Sequence, residues 1–113
     1  MRTFLTVALL LACTPALADE DCNKAISQNE INRCAEDNYN AADRALNDAW
    51  GRLPDGVKSK LRGEERDWIA RRDMACKAEA AESEGGSMYP TLLFGCMAEK
   101  TKARTRELEA SRR

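Results

Sequence analysis

Apolar residues fall at Ile31, Ala35, Tyr39, Ala42, Leu46, Ala49, Trp50 and Leu53, the three- and four-residue steps of one helical face. Ser27-Gln28-Asn29-Glu30 just before reads as a capping box, in which the serine hydroxyl accepts from the amide three residues on and the glutamate reaches back to the cap. Pro54-Asp55-Gly56 after the stripe is a turn signal, so the pattern predicts a first helix over 28–52. A second helix is predicted over 57–81, with Val57, Leu61, Trp68, Ala75 and Cys76 near one face and charges elsewhere. Two glycines and a proline in Glu84-Gly85-Gly86-Ser87-Met88-Tyr89-Pro90 break it. A third follows over 91–110, with Leu93, Met97, Thr101, Arg104 and Leu108 on its stripe. Nothing in the chain alternates as a strand does or repeats, and the terminal Ser111-Arg112-Arg113 is expected to fray. The predicted fold class is all-α, a small bundle of about three helices behind a short N-terminal segment.

The first eighteen residues have another pattern: one basic residue, Arg2, an apolar run from Phe4 to Ala12, then Pro15 and the small-x-small ending Ala16-Leu17-Ala18. The run is far short of the ~20 residues that span a bilayer, so residues 1–18 read as a secretory signal peptide and 19–113 as a single domain. Leu10-Leu11-Ala12-Cys13 offers a competing route, in which Cys13 would be lipidated, but Ala-Leu-Ala before Asp-Glu-Asp is the better cleavage site. The expected location is periplasmic or secreted. Removing residues 1–18, which hold Arg2 and no acid, moves the formal charge from −1 to −2.

Either route takes Cys13 out of the pairing problem and leaves Cys22, Cys34, Cys76 and Cys96. An even set in a short exported chain is most simply two disulfides, since a domain of this size buries little apolar surface. A zinc site is the rival reading, but there is no histidine and no closely spaced cysteine pair. On one continuous helix Cys22 and Cys34 would stand about 18 Å apart, too far to bridge. With the first helix beginning at Gln28, the segment before it is free to fold back and bring Cys22 to Cys34. Folding the second and third helices together at Gly85-Gly86 makes Cys76 and Cys96 partners across a hairpin. Of the three connectivities, Cys22–Cys34 with Cys76–Cys96 is preferred.

Catalysis finds little support. The chain has no histidine, nucleophile-base set or metal-ligand set, and no cofactor is expected. Glu64 and Glu65 could imitate the acid and base of a glycosidase, but adjacent helical residues point about 100° apart and read as surface charge. Gly85-Gly86-Ser87 lacks the lysine and the preceding strand of a phosphate loop; it reads as a turn with an N-cap for the third helix. Nucleic-acid binding is unsupported too, because Arg66, Arg71 and Arg72 are interleaved with acids and the net charge is negative. Trp68, at helical spacing from Leu61, reads as core rather than as a contact residue. Arg72, on the same face, is placed to cover the indole or to bond carbonyls at a helix end, and an ion pair with Asp43, Glu65 or Asp73 is the expected use of its charge. Glu65, Arg66 and Arg71 are expected to face solvent.

With helices and cysteines placed, the mature region resembles the LprI-type lysozyme inhibitor N-terminal domain, a family of small exported bacterial proteins. The matching residues are Cys22; Glu30 and Cys34; Ala42-Asp43 and Leu46-Asn47; Trp68, Arg72-Asp73 and Cys76; Gly85-Gly86-Ser87; and Cys96, Thr101, Arg104 and Leu108. Two positions depart from the family pattern: Glu65 stands where glutamine is usual and Arg71 where an aromatic or apolar residue is usual. The resemblance implies an all-helical, disulfide-bonded fold with Trp68, Arg72, Asp73, Thr101 and Arg104 as its structural motif. It also implies a protein partner, and inhibition of a lysozyme-type muramidase by occluding its cleft. The alternative is a structural or assembly module that binds another periplasmic protein. The protruding turn at Gly86, Ser87, Met88 and Tyr89 is the expected contact surface.

Overall fold

The computed structural model describes residues 21–112; the expected signal peptide over residues 1–18, and Cys13 with it, lie outside the described residues. A 3-10 turn over Cys22–Lys24 leads into α1 (Gln28–Gly51), followed by α2 (Asp55–Ala80), a second 3-10 turn over Ala81–Ser83, and α3 (Tyr89–Ala110). There is no strand among the described residues. The fold is an all-α, three-helix bundle.

The helix ends follow from local chemistry. Ser27 Oγ accepts from the Glu30 amide at 3.2 Å, as a capping box requires, but Glu30 reaches past the cap to the amide of Ile26, at 3.0 Å. The second helix starts at Asp55, two residues before the expected Val57. Pro54 is its cap, a place where no amide is needed, and the Asp55 carboxylate sits at the positive end of the helix. The third starts at Tyr89 rather than Thr91 for a related reason: Pro90 lies within the first turn. Ser87 does not cap it; Met88 holds the cap position and no side chain bonds there.

Contacts fix how the helices run. Gln28 meets Thr91, Tyr39 stacks on Phe94 and the Leu46–Leu53 end of α1 shares a core with Leu108, so α1 and α3 are parallel. Glu65 reaches Arg104, Arg72 reaches Thr101, and Cys76 bonds Cys96, so α2 runs antiparallel to α3. Ala35, Ala42 and Ala49 are buried along α1, with Gly95 and Ala98 beside Ala35, and such small side chains let two helix backbones approach closely. On α2, by contrast, large side chains, Leu61, Trp68 and Arg72, turn inward beside the small Cys76 and Ala80.

The main core comprises Leu46, Ala49, Leu53 and Leu108, with Trp50, Val57, Leu61 and Trp68 packed against it. Leu53, in the connection between α1 and α2, is only 3% exposed and closes the end of the bundle. Ala75, expected on the inner face of α2, is exposed instead; Arg72, Cys76 and Ala80 are the residues that α2 buries. The two disulfides join Cys22 to Cys34, with Cα atoms 5.7 Å apart, and Cys76 to Cys96, at 5.6 Å. Each closes a short loop and contributes about 3 kcal/mol by restricting the unfolded chain.

Candidate functional site

Three polar residues are buried in this small core: Arg72, Thr101 and Arg104. An unpaired charge there would be costly, so their partners decide whether the bundle holds. Arg72 donates from Nε and Nη2 to Asp73 Oδ1, at 3.0 and 2.9 Å, and from Nη1 to Thr101 Oγ1 at 3.2 Å. Its guanidinium also lies 5.4 Å from the ring centres of both Tyr39 and Trp68. Of the partners considered for Arg72 in the sequence, Asp73 is the one it meets.

Arg104 is held by three carboxylates: Nε donates to Glu65 at 2.7 Å, and Nη1 to Glu107 at 2.9 Å and Glu64 at 3.2 Å. Burial by itself would lower the pKa of this guanidinium. The hydrogen bonds that Arg104 donates to Glu65 and Glu107, the nearby charge of Glu65 and the bond to Glu64 outweigh it, and the net shift is upward. The buried Nη2 has no hydrogen-bond partner among the described residues. The Trp68 ring centre, 5.7 Å from the guanidinium carbon, offers the cation a π-face in compensation. Glu65 therefore does not face solvent as expected: its side chain is 13% exposed, while Glu64 beside it is 54% exposed.

The result is a chain of contacts across all three helices, from Phe94 and Tyr39 through Arg72 and Trp68 to Arg104. Trp68 is half-buried at its centre. Trp68, Arg72, Asp73, Thr101 and Arg104 thus come together as one structural unit.

The expected contact residues lie elsewhere, where α1 and α3 begin. Gly85 adopts φ +82°, a left-handed conformation that favours glycine, and Gly86 donates to Ser83 O at 2.9 Å. Asn32 Nδ2 donates to Ser87 O at 2.8 Å and so ties the turn to α1. The same asparagine accepts through Oδ1 from Gln28, at 2.9 Å, and from Thr91 Oγ1, at 2.5 Å. Gly86, Ser87 and Met88 are exposed on the tethered turn, and Tyr89 is half-buried where α3 begins. No group of three or more His, Cys, Asp or Glu among the described residues could hold a metal ion.

A model of the family described as lysozyme inhibitor LprI matches residues 18–108. The chain belongs to this family. A relative from Rhizobium meliloti (strain 1021), described as uncharacterized protein R02472, is 40% identical over 124 aligned positions, covering 91% of this chain and 89% of its own length. No solved structure matches. The family is one of inhibitors, and membership points to a protein partner. No helix among the described residues is long and apolar enough to cross a membrane.

Several residues that build these two sites were not singled out from the sequence as doing so. Glu107 stands three residues from Arg104 on α3, a spacing visible in the sequence, whereas Glu65 faces Arg104 only once α2 and α3 pair antiparallel. Gln28 and Asn32, four residues apart and so on one face of α1, carried a detectable signal as a polar pair near a helix start. Tyr39 belongs to the apolar stripe of α1, and its second role beside Arg72 depends on a helix far away in sequence.

Proposed function

We propose that the protein is exported by its N-terminal segment and acts, without chemistry of its own, by binding a lysozyme-type muramidase and occluding its substrate cleft. Membership of the lysozyme inhibitor LprI family is the observation that carries this reading. The turn supplies a means. Gly86, Ser87 and Met88 are exposed beside Tyr89, the Cys76–Cys96 disulfide joins the helices on either side, and Asn32 tethers the backbone, so little ordering cost remains to be met on binding. Met88 is 52% exposed and Ile26, at the start of α1, is 93% exposed. Both apolar side chains belong to the end where α1 and α3 begin, which suits a surface that meets another protein.

The test is the rate at which lysozymes of several classes clear a peptidoglycan suspension in the presence of the oxidised protein, residues 19–113. Slower clearing at stoichiometric excess is expected. If every class lyses at its normal rate, the inhibitor reading fails, and recovery of a specific periplasmic protein on the immobilised domain would support the assembly-module reading instead.

A further inference from the structure

A groove of about 250 Å³ between α2 and α3 has Trp68, Arg71, Arg72, Lys100 and Glu107 in its lining, with alanines leaving space between them. Three cations stand there against one carboxylate, and that carboxylate already accepts from Arg104. Asp73, Glu64 and Glu65, which neutralise the two buried arginines, do not line it. Neighbouring grooves have no such excess of positive charge: the one between α1 and α2 sets Asp43 and Glu65 against Arg72, and two others are balanced or acidic.

The two cations at this groove that are not buried are also uncommitted. The side chains of Arg71, on α2, and Lys100, on α3, make no hydrogen bond or ion pair with the described residues. Arg72 binds Asp73 and Thr101 through one N–H each of Nη2 and Nη1, and each nitrogen keeps a second N–H. Spare donors on Arg72 and two uncommitted cations, one from each helix, make a suitable receptor for a planar anion.

We propose that the α2–α3 groove is a carboxylate-binding site that takes an acidic side chain of the protein's partner, held between Arg71 and Lys100 beside Trp68. The proposal rests on the reading that this protein works by binding another. A side-chain carboxylate fits better than a carboxylated sugar, because Arg72 and Arg104 already lie against the indole, at 5.4 and 5.7 Å from its ring centre, and compete for the surface a sugar would stack on.

Titration of the oxidised domain with a blocked tetraglutamate peptide, followed by NMR at the two indole N–H signals, tests the site without any lysozyme. The Trp68 signal should move with a Kd of about 1 to 10 mM, weakening as salt is raised, while Trp50, in the acidic groove, should stay still. The double variant R71Q/K100Q should lose at least tenfold in affinity, with an unchanged folded spectrum. The pair R66Q/R106Q, which removes the same charge from exposed positions outside this groove, should bind as the parent does. An unmoved Trp68 signal, or equal losses in both double variants, overturns the site. Tighter binding of N-acetylmuramic acid than of the peptide at Trp68 overturns the assignment to a protein side chain. Loss of lysozyme inhibition in the clearing assay bears on the proposed function, whereas these titrations bear on the groove.

Discussion

Arg104 shows how a charged residue can sit at the centre of a small helical core. It is 5% exposed, and it is retained because carboxylates on two helices surround it. These partners are not equivalent. Replacing Glu65, close and mostly buried, with glutamine should cost about 1 to 2 kcal/mol in urea denaturation, whereas the same change at the half-exposed Glu64 should cost less than about 0.5 kcal/mol. Equal effects would contradict the geometry. The raised Arg104 pKa also has a defined consequence for pH dependence. A base whose folded pKa lies above its unfolded value adds stability below the unfolded pKa and loses it only as pH rises through the folded one. For Arg104 that window is strongly alkaline, so its ionisation should add no slope to the stability of the protein between about pH 6 and 9. Trp68 joins Arg72 to Arg104, and Trp68→Ala should cost about 3 kcal/mol by the same denaturation measurement. Near-normal stability with lost partner binding would mark the indole as a contact residue.

At the level of elements, the helices were largely legible in the sequence because apolar spacing, a capping box and two turn signals agree about them. Their starts were less so. Pro54 and Pro90 look like breakers, yet each occupies a position where a missing amide costs nothing, and both helices consequently begin two residues early. The local disulfides followed from the helix boundaries. What periodicity could not supply was depth along facing helices: it put Glu65 in solvent and left Asn32 unremarked, since their partners lie 39 and 55 residues away. The tether gives a direct prediction for the turn. Asn32→Ala removes the exposed bond to the turn and two part-buried bonds, from Gln28 and Thr91, so the melting temperature should fall by about 5 to 10 °C, while affinity for an inhibited lysozyme falls severalfold. Gly85→Ala forces a side chain into the left-handed region and should cost about 1 kcal/mol. A stable Asn32→Ala variant with full affinity would separate the tether from function.

On the scale of the whole molecule, two parallel helices pack closely through small residues, and an antiparallel third is attached by large side chains, paired charges and a disulfide. This arrangement leaves the α1–α3 end free to present an exposed turn on a braced support. The proposed binding surface is thus braced without many aromatic residues, and the buried Arg72–Arg104 cluster supports the helices rather than the turn. In the proposed function this end enters a muramidase cleft and competes with substrate. Steady-state lysis of peptidoglycan, measured at several concentrations of substrate and of the oxidised domain, tests it most directly. Apparent KM should rise with inhibitor while kcat holds, and Met88→Asp should abolish the effect without unfolding the protein. Undiminished lysis at excess inhibitor, or a fall in kcat at constant KM, would contradict it.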